Sequence, residues 1–210
     1  PPDTLVLLAP GEHFANFHLR KAIRLVGATG TTLKPQSPDR PSLIVDVVAA
    51  VNSAVVIRGL RLVASERHAG NERVLGAAKD KTADKIRRFR GQISFKEWLG
   101  VLNWTGDEVR PSARSANAEA PTVLVKRGVA QIESSVVVGG PVAPAIMVGR
   151  VGETGSPPRL EVTDGVFFRH DAPCVLVGSD ATASFADTIF KRDEATQQHY
   201  QTVSRLIGRA

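Results

Sequence analysis

The sequence predicts an all-β protein built as a parallel β-helix, a solenoid of coils about 23 residues long, and three observations carry that expectation. First, a proline-led apolar segment recurs: Ala120-Pro121-Thr122-Val123-Leu124-Val125, Ala143-Pro144-Ala145-Ile146-Met147-Val148 and Ala172-Pro173-Cys174-Val175-Leu176-Val177, with Arg40-Pro41-Ser42-Leu43-Ile44-Val45 as a looser copy. Second, the spacing is regular. Pro121 and Pro144 lie 23 residues apart and Pro144 and Pro173 lie 29 apart. Removing about six residues from Gly152 to Pro157 restores the shorter period, as a loop inserted into one turn would. Third, another short run follows each copy: Ile132-Glu133-Ser134-Ser135-Val136, Val162-Thr163-Asp164-Gly165-Val166 and Phe185-Ala186-Asp187-Thr188-Ile189. Val56-Ile57-Arg58-Gly59-Leu60 fits the same pattern with one residue of slippage.

Each unit holds two or three Val- and Ile-rich runs, too short for a βαβ module of roughly 30 residues and without helical periodicity. Alternation turns one set of side chains inward, and stacked units build an apolar column with hydrogen bonds between coils. An antiparallel sandwich of short strands is the competing architecture, but it requires no repeated register. In chain order, residues 1–64 are read as N-terminal coils and 65–120 as an insertion. Residues 121–193 follow as C-terminal coils and 194–210 as a capping helix.

The insertion has two halves. Lys79, Lys81, Lys85, Arg87, Arg88 and Arg90 crowd the first. The second carries Ser94-Phe95-Lys96-Glu97, the Ser-x-x-Glu form of a capping box, with Phe95, Trp98, Leu99, Leu102 and the nearby Trp104 as an apolar stripe at helical spacing. Pro111 to Ala120 reads as a return loop. At the C-terminus, Asp193 caps a helix bearing Tyr200, Val203, Leu206 and Ile207, stopped by Gly208. Such a helix would cover the open strand edges at the end of a solenoid.

The opening run Asp3 to Phe14, with its alternating strand and Pro10-Gly11 turn, is followed by a short strand over His18 to Gly27 and then by Ala54 to Leu62. These segments resemble the first coils of right-handed parallel β-helix proteins of the pectate-lyase-like superfamily. The resemblance covers about three quarters of the chain and leaves out 65–120. It implies the fold and its hand but not an activity, because that superfamily holds lyases, hydrolases, esterases, epimerases and non-catalytic binding domains.

Composition narrows the class. The 210 residues carry 27 Lys+Arg against 21 Asp+Glu, a net charge of +6, with 42% hydrophobic residues. This is a globular composition with chain enough to bury a core. A single cysteine, Cys174, excludes an internal disulfide and a cysteine-based zinc cluster, and its place in an apolar run marks it as a core residue. No apolar run reaches the length of a membrane helix. The chain opens without the basic and apolar regions of a signal peptide.

Candidate chemistry lies on the repeat. Ser134, Asp164 and Asp187 occupy one position in successive units, so Asp164 and Asp187 should stack about 4.8 Å apart. Paired carboxylates can divide acid and base roles or hold a hard cation. Their plainer reading is as turn residues. Arg169 and Arg192 align with each other five residues further on, with His170 and Asp171 beside the first. The histidines show no metal-ligand spacing, and Gly27-Ala28-Thr29-Gly30 lacks the lysine and helix of a phosphate loop.

Two functions follow as expectations. The leading one is a non-catalytic binding or scaffold module for a glycan or protein partner, with Trp98, Trp104, Arg87, Arg88 and Arg192 as binding residues. The alternative is a carbohydrate-active enzyme on an acidic polysaccharide, with Asp164, Asp187 and Arg169 as its catalytic residues. No metal or other cofactor is expected, calcium belonging to the enzyme alternative alone. Nucleic acid is the weaker partner for the basic run, because Asp80 and Asp84 interleave its lysines.

Overall fold

The computed structural model describes residues 4–37, 40–48, 54–64, 104–105, 108–109, 120–140, 144–150, 157–169 and 174–192. Trp104, Thr105, Glu108, Val109, Arg169 and Arg192 are described by strand position alone. The first circuit of the chain is β1 (Thr4–Leu8), β2 (Gly11–Phe14) and β3 (Phe17–Leu19). The second is β4 (Ile23–Gly27), β5 (Thr31–Lys34) and β6 (Leu43–Asp46). The third runs through β7 (Ala54–Arg58) and β8 (Arg61–Val63), then reaches β9 (Trp104–Thr105) and β10 (Glu108–Val109) before closing with β11 (Val123–Arg127). The fourth is β12 (Val129–Glu133), β13 (Val136–Val138) and β14 (Ile146–Val148), and the fifth β15 (Arg159–Thr163), β16 (Val166–Arg169) and β17 (Val175–Val177). Two strands of a sixth follow, β18 (Thr182–Ala186) and β19 (Ile189–Arg192).

Strands taken in turn go to three different sheets. The first sheet orders β1-β4-β7-β12-β15-β18, the second β2-β5-β8-β13-β16-β19 and the third β3-β6-β11-β14-β17. The described pairings within all three are parallel. This is the connectivity of a parallel β-solenoid, with five complete circuits and part of a sixth among the described residues. The repeat register is the one the prolines mark: Val123 lies opposite Leu43 and Ile146, and Ile146 opposite Val175. The slipped copy resolves by one residue, since Ile57, not Val56, faces Ile132.

The core is a stack of equivalent side chains. Leu25, Ile57, Ile132 and Val162 line up on the first sheet, Leu33, Leu62, Val137 and Phe167 on the second, and Val45, Val125 and Val148 on the third. Each such burial contributes on the order of 1.5–3 kcal/mol. Polar side chains close two of the corners. Ser42 Oγ donates to Val63 O at 3.0 Å and Thr122 Oγ1 to Val138 O at 2.6 Å, so the residues after Pro41 and Pro121 carry hydroxyls that satisfy the end of the second-sheet strand in the next coil.

In the middle strands of the third sheet, β6, β11 and β14, both faces are buried. Ile44, Leu124 and Met147 alternate with the core row and stay outside its cluster, yet they are 8%, 0% and 0% exposed. That explains why Leu43-Ile44-Val45, Val123-Leu124-Val125 and Ile146-Met147-Val148 read as unbroken apolar runs: the expected alternation of buried and solvent-facing side chains holds only for a half-buried sheet. Within 65–120, β9 pairs antiparallel with β10, which places Trp104 on a strand. The basic run, the Phe95–Leu102 stripe, Trp98, Arg87 and Arg88 lie outside the described residues, as does the helix predicted for 194–210.

Candidate functional site

The corner between the first and second sheets is two residues wide from β7 onward, and the first of the two is left-handed. Gly59, Ser134, Asp164 and Asp187 occupy it in successive coils, with φ of 68°, 44°, 55° and 49°. A left-handed residue turns the strand sharply, and Gly, Asn and Asp tolerate that conformation best among ordinary residues. Backbone hydrogen bonds run straight through the bend: Gly59 N donates to Glu133 O, Ser134 N to Thr163 O and Asp164 N to Ala186 O, at 3.0–3.2 Å. Asp164 and Asp187 therefore stack on adjacent coils as the repeat predicts, and both are exposed. Their residue type is accounted for by the backbone they adopt. Arg169 pairs with Arg192 in the register of β16 and β19, while the side chains of both, like His170 and Asp171, lie outside the described residues.

A charged cluster that the sequence reading missed sits at the end of the third sheet's strands. Asp46, 4% exposed, takes a hydrogen bond from Arg127 Nε on Oδ1 and one from His18 Nε2 on Oδ2 at 3.1 Å. Lys126, also 4% exposed, brings Nζ to 3.8 Å from the same oxygen. Burial acts to raise the Asp46 pKa, but the bonds from Arg127 and His18 and the charges of Lys126 and Arg127 outweigh it and hold the carboxyl below its ordinary 3.8. The register shifts between Val125 and Arg127, a bulge that sets Arg127 rather than Lys126 opposite Asp46. Gly128 then bends away with φ 81°, where a Cβ would stand 2.9 Å from Val47 O.

Two open surfaces flank the corner. The outer face of the first sheet is a flat ladder in which Arg24, Val56, Gln131, Glu161 and Ser184 share one row. Gln131 Nε2 donates to Glu161 Oε2 at 2.8 Å, and Arg159 Nη2 lies 2.7 Å from Glu161 Oε1. Arg58 and Glu133 face each other at the corner end of the next row. Over the corner itself lies a shallow groove of about 420 Å³ lined by Gly27, Thr29, Thr32, Gly59, Arg61 and Ser134 among others.

Among the described residues no group of three or more His, Cys, Asp or Glu side chains could hold a metal ion, and no helix is long and apolar enough to cross a membrane. Fold and corner together define an all-β chain of three stacked parallel sheets, consistent with a parallel β-solenoid, with a left-handed residue at each bend from β7 onward. Comparison with known proteins finds no matching family model, no similar curated protein and no matching solved structure.

Proposed function

We propose that this chain is a right-handed parallel β-helix of pectate-lyase-like type that serves as a non-catalytic binding module, with an acidic glycan as the favoured partner. The observation that carries the reading is the flat outer ladder of the first sheet. Its rows display guanidinium, amide and carboxylate groups at the regular strand spacing of about 4.8 Å, held by the Gln131–Glu161 hydrogen bond along one row and the Arg159–Glu161 ion pair within β15. A rigid polar row suits a polymer that repeats hydroxyl and carboxylate groups, because little side-chain entropy is lost on contact. The net charge of +6 favours an anionic partner. Trp98, Trp104, Arg87, Arg88 and Arg192 are the binding residues that the sequence reading names for such a module.

The enzyme alternative keeps one supporting observation, the stacking of Asp164 on Asp187 with Arg169 and Arg192 in register on the following strands. Under it the two carboxylates would act as acid and base or as calcium ligands. One experiment decides between the two readings. The protein is incubated with acidic polysaccharides with and without calcium, followed by retention on the immobilised polymer and mass spectrometry of the supernatant. Retention without released fragments supports the binding module. Fragments that vanish in Asp164→Asn or Asp187→Asn overturn it in favour of the enzyme, and retention by no glycan removes the glycan and leaves a protein partner.

A further inference from the structure

Resting on the binding-module reading, we infer that the corner groove is a subsite for the carboxylate of an acidic sugar, with Arg61 as its anion-binding residue. Arg61 begins β8 and points outward, exposed, because Leu62 takes the core position. Its in-register neighbours are Thr32 on β5 and Val136 on β13, neither of them acidic. Among the described residues no carboxylate forms an ion pair with it. The acidic residue of its own row, Glu12, lies two strands away and is engaged at 2.6 Å by Lys34 Nζ. From the first sheet Arg58 and Glu133 face each other beside the corner, so their charges offset, and Asp164 lies one coil beyond Ser134.

The groove beside Arg61 is made for a small polar ring. Gly27 and Gly59 pack against each other along one side, where a Cβ on either would stand 2.9 Å from the other's carbonyl oxygen, and Gly30 is the lining glycine with open space about it. Thr29, Thr32 and Ser134 also line the groove, and each hydroxyl can donate and accept. Val136 supplies an apolar patch on the wall. A uronate ring placed there sets its carboxylate against the guanidinium fork, its hydroxyls against the three side-chain hydroxyls and its C–H face against Val136. The guanidinium is the group that binds carboxylates in two parallel hydrogen bonds. A neutral sugar of the same shape lacks that partner.

The test is a calorimetric titration of the full chain with uronate oligomers, their neutral counterparts and a sulfated oligomer, repeated on Arg61→Gln and Arg61→Lys. Lys21→Gln, on an exposed turn away from the groove, is the charge control. The expected result is uronate binding that falls at least about tenfold in Arg61→Gln, the loss of a charge-assisted pair. Arg61→Lys should fall between the two and Lys21→Gln should match the parent, with unchanged melting temperatures throughout. Equal uronate binding by parent and Arg61→Gln would overturn the groove while leaving the binding module standing. Equal affinity for neutral and uronate oligomers, or stronger binding of the sulfated one, would overturn the carboxylate assignment, and binding of no oligomer by the parent would remove the groove subsite together with the glycan partner.

Discussion

Asp46 shows how much one carboxylate can organise. Three cationic or proton-donating side chains from β3 and β11 converge on it where the third sheet leaves almost no solvent. Asp46→Ala should cost about 3–5 kcal/mol in urea unfolding, because it leaves the buried charge of Lys126 without the carboxylate beside it. The same residue sets an acid limit. Its folded pKa is lowered, so its contribution is complete above the unfolded value of about 3.9 and is lost as pH falls through the folded value. The unfolding midpoint should therefore decline below about pH 4, and Asp46→Asn should flatten that slope. At the corner, the left-handed backbone makes Asp164→Gly nearly neutral and Asp164→Val destabilising by about 1–2 kcal/mol. A thermal melt of both variants checks this, and equal losses would contradict the conformational role.

At the scale of elements, the repeat works because each coil satisfies its neighbour. The hydrogen bonds continue through the corner, and Ser42 and Thr122 close the turn before the third sheet. Phe167 marks the junction of the last coils: fully buried, it stacks on Phe190 at 5.2 Å and meets Phe185 edge-on at 6.2 Å. Phe167→Ala should cost about 3–5 kcal/mol and loosen β18 and β19 together, read as the equilibrium unfolding free energy and the exchange of their amides. Much of this was legible in the sequence. The prolines at 41, 121, 144 and 173 marked the third sheet, and the Ser134, Asp164 and Asp187 column marked the corner. The unbroken apolar runs were the harder signal, since continuous hydrophobicity says that both faces are covered and not by what.

For the whole molecule, a solenoid distributes stability along one axis. Interior coils have neighbours on both sides and end coils on one, so stability is roughly a sum of coil and interface terms. Leu5, Leu7 and Phe14 are exposed in the first coil, and Phe185, Ile189 and Phe190 in the last. Amide exchange should be slowest in β7 and β12 and faster by orders of magnitude in β1 and β18. Uniform protection along the axis would show that the ends are held as firmly as the middle.

The sequence by itself determined the coil length, the register of the third sheet, the stacked corner and the burial of Cys174, because each of these is a periodic property that a repeat writes out several times. Tertiary structure decided what occurs once. The alignment of Pro41 with Pro121 sets Asp46 level with Lys126, yet a single bulge moves Arg127 opposite it, and His18 joins from a strand with no matching proline. Likewise the groove beside Arg61 exists because the Gly27–Gly30 turn of one coil stands next to Gly59 and Ser134 of the two that follow. Pattern reveals what the backbone repeats, whereas a site is made where neighbouring coils differ, and that difference is fixed only when the strands pair.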